Sequence, residues 1–288
     1  MKPFTKIAPY YDLLMKRVDY PGWVRYLHQI FERFGIKPRK ILDLACGTGI
    51  PSLLLARQGY EVIGLDNSEE MLKVAMQNAE LGDSPKKEIN LLSRFQNLNS
   101  EIGRVRFIQA DMRNFEIPEK VDVVISLFDS FNYLLTEKDL HKAYASTYRA
   151  LRKGGYFLFD MNTDFGLSQY WVNGTEIREI DGLLSIWRNS YDEKRKIARL
   201  DLTLFVPSPP LRKGDKSPST PPLSKGDSGG FYYQRIDEVH EERGYSTLEI
   251  ENLLHDAGFG EVHLYRHLQF TPPLRSTNRV MVVAKKSG

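Results

Sequence analysis

Asp43, Gly47, Thr48, Gly49 and Asp66 are the residues of this chain best spaced to hold a ligand. In ILDLACGTGIPS (41–52), an apolar strand carrying Asp43 runs through Ala45 and Cys46 into Gly47-Thr48-Gly49, then into a helix start. Two glycines one residue apart permit a sharp turn and leave backbone N–H groups bare, so a ligand can lie against main chain. The next apolar strand, Glu61 to Leu65, delivers Asp66 and Asn67. An acid there is placed to accept hydrogen bonds from two ribose hydroxyls. This is nucleoside chemistry, but phosphate does not suit it. No Lys follows Gly49 as a P-loop requires, Ser52 stands at the third position of a dinucleotide fingerprint, and Asp43 would repel a pyrophosphate.

A zwitterionic amino-acid group with an ammonium end is compatible with Asp43. S-adenosylmethionine joins such a group to ribose and adenine without phosphate. The run D-L-A-C-G-T-G, with an acid ending the next strand, resembles the first cofactor motif of class I S-adenosylmethionine-dependent methyltransferases and its partner. PYYDLLMKRVDYPGW (9–23), LFDSFNYLL (127–135), LRKGGYFLFDMN (151–162) and HEERGYSTLEIENLLHDAGF (240–259) resemble the small-molecule branch, which alkylates amino sugars, glycine-like amines and related metabolites. The N/D-P-P-Y/F sequence of methyltransferases acting on DNA amino groups and some protein glutamines is missing.

The resemblance implies S-adenosylmethionine as cofactor and a role for further residues. Asp111 would accept from the adenine amino group, and the Met112 backbone N–H would meet a ring nitrogen. Met71 would turn one face to the adenine. Leu127 and Phe128 would line the methyl-transfer face, and Tyr11 would fold over the sulfonium. Taken by themselves, Asp111 is also an ordinary strand-terminating turn residue, Met71 first-turn core, and Tyr10 and Tyr11 core aromatics of an N-terminal cap. Trp23 reads as packing, and Cys46 as a small residue behind the loop rather than a nucleophile.

Methyl transfer to a neutral nucleophile asks the protein mainly for alignment and exclusion of water. An amine needs only to arrive deprotonated, whereas a hydroxyl needs a base. His240, on a strand leading to Arg243 and Tyr245, is the best-placed base and shares the weak catalytic candidacy with Tyr11; a lone His on an amphipathic strand is also a common surface or satisfied residue. His263 and His267 rank below it. No metal is expected, because the single cysteine, Cys46, offers no metal-ligand spacing.

The elements that must position these residues alternate strand and helix. Strands are expected at Lys40–Ala45, Glu61–Leu65, Val105–Ala110, Val121–Leu127, Tyr156–Met161, Val262–Arg266 and Arg279–Lys285. Helices are expected at Pro21–Phe34, Leu53–Gln58, Ser68–Leu81 and Glu137–Arg152, the last capped by Thr136 and Asp139 and closed by Gly154-Gly155, with a final helix from Ser246 to Gly258 opened by an S-x-x-E box. The pattern predicts a doubly wound α/β fold with a mostly parallel, Rossmann-like seven-stranded sheet, its ligand beyond the strands' carboxyl ends. Leu183–Tyr191, Lys196–Val206 and Phe231–Glu241 read instead as antiparallel strands. The expected division is a cofactor-binding core of 1–161 and 246–288 with an inserted β lid of 162–245. Within the lid, PPLRKGD (209–215) recurs as PPLSKGD (221–227), so 207–230 reads as a disordered low-complexity tip. A short extra helix fits 82–103.

The net charge of +3 falls close to neutrality once Arg212, Lys213, Lys216 and Lys225 are set against Asp215 and Asp227 and put aside, so no basic field favours nucleic acid. Neither a membrane-length apolar run nor a signal-peptide core is visible, which points to a soluble cytoplasmic protein without a membrane partner. The partner expected is a small-molecule methyl acceptor, and a homo-oligomer is left open. An RNA methyltransferase would show a basic rim, and a non-catalytic S-adenosylmethionine sensor would discriminate sharply between the cofactor and its demethylated product.

Overall fold

The computed structural model describes residues 3–81, 104–208 and 232–288. The short helix expected within 82–103 and the repeat beginning at Pro209 lie outside the described residues. The main sheet contains β1 (Lys40–Leu44), β2 (Glu61–Asp66), β3 (Val105–Gln109), β4 (Val121–Ser126), β5 (Leu151–Asn162), β10 (Phe259–Arg266) and β11 (Arg279–Lys286) in the spatial order β10-β11-β5-β4-β1-β2-β3. The pairings from β3 across to β5 are parallel, and β11 is antiparallel to both β5 and β10. The chain runs one way through β1, β2 and β3 and returns to β4 on the other side of β1. That reversal opens a crevice beyond the carboxyl ends of β1 and β4, where ligands of such sheets bind.

Apolar strands buried on both faces need a helical layer on each. One face packs Phe131, Tyr144, Phe157 and Phe159 under α5 (Glu137–Ala150) and α7 (Thr247–Asp256). The other packs Leu27, Ile30 and Phe31 of α2 (Tyr20–Arg33) with Leu55 of α3 (Ile50–Arg57). The remaining main-sheet helix, α4 (Glu69–Leu81), starts with Glu69 and Glu70 where the helix dipole favours acids. The expected caps form: Thr136 accepts from Asp139 N–H, and Ser246 and Glu249 complete a reciprocal capping box.

Gly154 and Gly155 do not close α5, which ends at Ala150. They sit inside β5, where Val121 pairs with Leu151 and Val123 with Tyr156, so the strand bulges around Asp122. A Cβ on Gly155 would come 2.9 Å from the Asp122 carbonyl oxygen, so this close approach needs glycine.

A second, antiparallel sheet follows β5 in the order β6-β7-β8-β9, made of β6 (Gly174–Ile180), β7 (Leu183–Asp192), β8 (Ile197–Ser208) and β9 (Tyr232–Arg243). Its apolar face, with Leu183, Leu200, Leu202, Leu204 and Ile236, covers Ile7 and the aromatic side of α1 (Ala8–Leu14). The sequence pattern missed β6, whose side chains are nearly all exposed, as well as α1 and the short α6 (Asp164–Tyr170).

Candidate active site

The chain between β1 and α3 makes three left-handed steps, at Ala45 (φ 62°), Gly47 (φ 55°) and Gly49 (φ 76°). The two glycines serve different ends. A Cβ on Gly47 would meet nothing within 4 Å, so its backbone faces open space, and its N–H donates to Asp66 Oδ2 at 2.8 Å. A Cβ on Gly49 would come 2.9 Å from the Phe107 ring and 3.1 Å from Ala75, so Gly49 is required by packing against β3 and α4. Ser52 is fully buried, and its hydroxyl donates to Asp43 Oδ2 at 2.5 Å.

These residues open onto a cavity of about 1470 Å³ that runs from the glycine turn to β9. Tyr11, Asp43, Ala45, Cys46, Gly47 and Thr48 line it, as do Asp66, Asn67 and Met71, then Asp111 and Met112, then Leu127 and Phe128, and finally His240 on β9. Gly49 alone of the expected contact residues stands behind the wall. Trp23 belongs to the wall as well as to the core, its ring tilted against Phe128 with centroids 4.7 Å apart. His267 also lines the cavity, and burial pushes its pKa down to about 4, leaving a neutral ring. His263 lies outside, paired with Glu261.

Asp66 lines the cavity and holds Gly47 N–H with one carboxylate oxygen and Ser68 N–H with the other, both at 2.8 Å. Burial raises its pKa against the backbone hydrogen bonds from Ser68, Gly47 and Asn67. Asp43, only 2% exposed, titrates at about 7, lifted first by burial. Asp111 is gripped by the Arg113 guanidinium, with the closest contact at 2.6 Å.

The N-terminal segment roofs the cavity. Glu238, on β9, accepts the backbone N–H groups of Phe4, Thr5, Lys6 and Ile7 at 2.5–3.2 Å. Ser68 donates to the Phe4 carbonyl at 2.7 Å. Asp12, on α1, accepts from Thr48 Oγ1 at 2.5 Å and Asn78 Nδ2 at 2.9 Å, tying the roof to the glycine turn. His240 is 3% exposed, with Nδ1 3.1 Å from the Tyr133 hydroxyl, its ring against Phe4 and Nε2 facing Glu238.

At the end of β4, Phe128 (φ 63°) and Asp129 (φ 54°) are consecutive left-handed residues without glycine. Such a conformation costs roughly 1–2 kcal/mol per residue. The buried carboxylate of Asp160 offsets it by accepting both N–H groups, at 2.8 and 3.0 Å. Arg279 bridges Asp160 and Asp129, and Asn162 Nδ2 donates to Asp129 Oδ2 at 2.8 Å and to Glu242 Oε2 at 3.1 Å. The sequence reading singled out none of Asp12, Asp129, Asp160, Asn162, Glu242 and Arg279 as functional. All but Arg279 lie in the quoted blocks, so the blocks themselves were the available signal.

The donor set suits an adenosyl sulfonium better than a phosphate. Among the described residues, ten carboxyl groups and three guanidinium groups line the cavity, and no lysine does. Each guanidinium is already paired: Arg113 with Asp111, Arg199 with Asp201 and Glu241, and Arg279 with Asp129 and Asp160. A pyrophosphate would find no free cation among these groups, whereas a sulfonium and an ammonium would be drawn in. Among the described residues no cluster of His, Cys, Asp or Glu is arranged to hold a metal ion, and no helix is long and apolar enough to cross a membrane.

Residues 41–155 match the family model described as "Methyltransferase domain". The protein YqeM of Bacillus subtilis (strain 168) is 28% identical over 285 residues, covering 99% of this chain and 97% of its own. The glycine/sarcosine N-methyltransferase of Parasynechococcus marenigrum (strain WH8102) is 33% identical over 122 residues, 42% of this chain and 37% of its own. Among solved structures, an S-adenosylmethionine-dependent methyltransferase from Clostridium acetobutylicum ATCC 824 superposes with a TM-score of 0.73 at 26% identity, covering 98% of each chain.

Proposed function

Because this chain is a class I S-adenosylmethionine-dependent methyltransferase, we propose that its cavity holds the cofactor together with a small amine acceptor and that the methyl group goes to nitrogen. One observation carries the reading: among the described residues the wall is rich in carboxyl groups and every guanidinium in it is already paired, which favours a small acceptor bearing an amine over a polyanion such as RNA. The similar glycine/sarcosine N-methyltransferase, named for methylating the nitrogen of small amines, supports the choice of nitrogen.

In this reading Asp66 takes the ribose hydroxyls, and Asn67 and Met71 flank ribose and adenine. Asp111 and Met112 meet the adenine. Asp43, with the Ala45–Gly49 turn, receives the amino-acid end. Leu127, Phe128 and Tyr11 enclose the reactive end. When bound, the cofactor supplies a methyl group on a sulfonium, already attached to a good leaving group. The protein then has to orient the acceptor and exclude water. The second sheet serves this as a lid of residues 162–245, and α1 as a strap beside it. A hydroxyl acceptor would instead call on His240, hydrogen-bonded to Tyr133. We place the protein in the cytoplasm, in keeping with its lone cysteine.

The test is transfer of a labelled methyl group to glucosamine, glycine and ethanolamine, set against glucose and glycerol. Incorporation into amines is expected; incorporation confined to the hydroxyl compounds, or none into amines, sinks the proposal. Asp66→Ala should weaken S-adenosylmethionine binding by about 1.5–3 kcal/mol, as charge-assisted hydrogen bonds are lost. Unchanged affinity in a titration would contradict the ribose assignment.

A further inference from the structure

We propose that Glu242 and Asp129 form a proton-sharing carboxyl pair that receives the protonated amine of the methyl acceptor and takes a proton from it. The proposal rests on the amine reading above and extends it to residues that reading does not use. Glu242 comes from the root of β9 and Asp129 from the end of β4, and both line the cavity. The two carboxyls share the single amide of Asn162, whose Nδ2 donates to Asp129 Oδ2 at 2.8 Å and to Glu242 Oε2 at 3.1 Å. Glu242 is only 2% exposed, yet it faces the cavity.

The charges around the pair do not balance. Asp129, Asp160 and Glu242 face one guanidinium, Arg279, and the other neighbours, Asn162, the Tyr11 and Tyr133 hydroxyls and the His267 ring, are neutral. Burial first, and then Asp129, push the Glu242 carboxyl well above the usual carboxylate range, so the resting pair retains one proton. The cluster then carries one net negative charge. It is matched to a single incoming cation.

Entry of an ammonium group replaces that proton, which leaves to solvent, and Glu242 becomes a carboxylate. One N–H bond of the ammonium then breaks while an O–H bond forms on Glu242, and the electron pair stays on nitrogen as the lone pair that attacks the methyl group. The product leaves as the methylated ammonium with Glu242 protonated again, so the cycle closes with one proton released per turnover. His240 is less suited, since its ring is enclosed by Tyr133, Phe4 and Glu238.

The test uses the full-length protein. The infrared spectrum of the wild type minus that of Glu242→Gln at neutral pH, in which the Asp43 carboxyl common to both cancels, should contain a protonated buried carboxyl band that Asp129→Asn shifts. A difference spectrum without the band overturns the proposal. With the amine acceptor found above and S-adenosylhomocysteine both bound, the band should disappear; its persistence also overturns it. Glu242→Gln should lower kcat/KM for that amine by about 100-fold or more and flatten the rise of kcat/KM with pH. Unchanged kcat/KM with an unchanged pH profile defeats this inference while leaving amine methylation standing, whereas no transfer to any amine defeats the parent reading. If Glu242→Gln weakens S-adenosylmethionine but not S-adenosylhomocysteine, the pair serves the sulfonium and the proposal fails.

Discussion

Asp43 is a carboxyl group enclosed beside a cavity, bonded by the Ser52 hydroxyl and backbone N–H, and burial outweighs these bonds to lift its pKa from 3.8 to about 7. The folded protein therefore binds a proton here that the unfolded chain does not, and it gives up stability as pH rises across that interval. A ligand carrying an ammonium group favours the ionised form and restores it. S-adenosylmethionine should consequently bind more tightly as pH rises towards about 7, with no further gain above, and binding should release a proton below that point. Asp43→Asn should make the affinity independent of pH over this range. Calorimetry in buffers of different ionisation enthalpy measures the proton directly, and a wild-type affinity that ignores pH would remove Asp43 from the cofactor's amino-acid end.

At the scale of elements, the turn from β1 to α3 separates a glycine that faces the cavity from a glycine that packs. Gly47→Ala meets only the backbone penalty of the left-handed region, roughly 1–2 kcal/mol, and should act mainly on cofactor affinity. Gly49→Ala meets the same penalty and, in addition, Phe107 at 2.9 Å, worth about 1–3 kcal/mol of overpacking. It should therefore lose more stability in urea denaturation while its residual folded fraction binds cofactor normally. Equal stability losses in the two variants would mean that β3 yields to the added methyl. These elements were readable from sequence because β1 to β5 are apolar runs bounded by turn residues, and because a capping box such as Ser246–Glu249 is local. What could not be read is what distant segments make together. Asp129, Asn162, Glu242 and Arg279 each look like an ordinary polar residue beside a strand end, and only the meeting of β4, β5, β9 and β11 turns them into one buried cluster. Likewise β6 carries almost no buried side chain, so no periodic apolar signal marks it.

Across the whole molecule, one side chain joins the second sheet to the roof of the site. Glu238 accepts four consecutive backbone N–H groups from Phe4 to Ile7. Burial raises its pKa, but His240 and the Lys6 and Ile7 amides outweigh this and hold it below the ordinary value. A depressed carboxyl contributes stability above its unfolded pKa and loses it as pH falls through the folded one. Amides 5–7 should thus be protected from hydrogen exchange at neutral pH and lose that protection in acid below the ordinary carboxylate range, earlier than the amides of β1 and β4. Glu238→Ala should expose them at neutral pH, and full protection in that variant would show the strap to be held from elsewhere. The paired strands β8 and β9 have a different consequence. Each runs 12 residues, from the Ser208–Tyr232 pairing at one end to Glu242 and Arg243 at the other. At about 3.3 Å per residue, the far end stands more than thirty ångströms along the ladder from the acids of the site. Changes of length there are buffered by a stiff ribbon, which makes that end a place where evolution can tinker while the chemistry at the root goes on undisturbed.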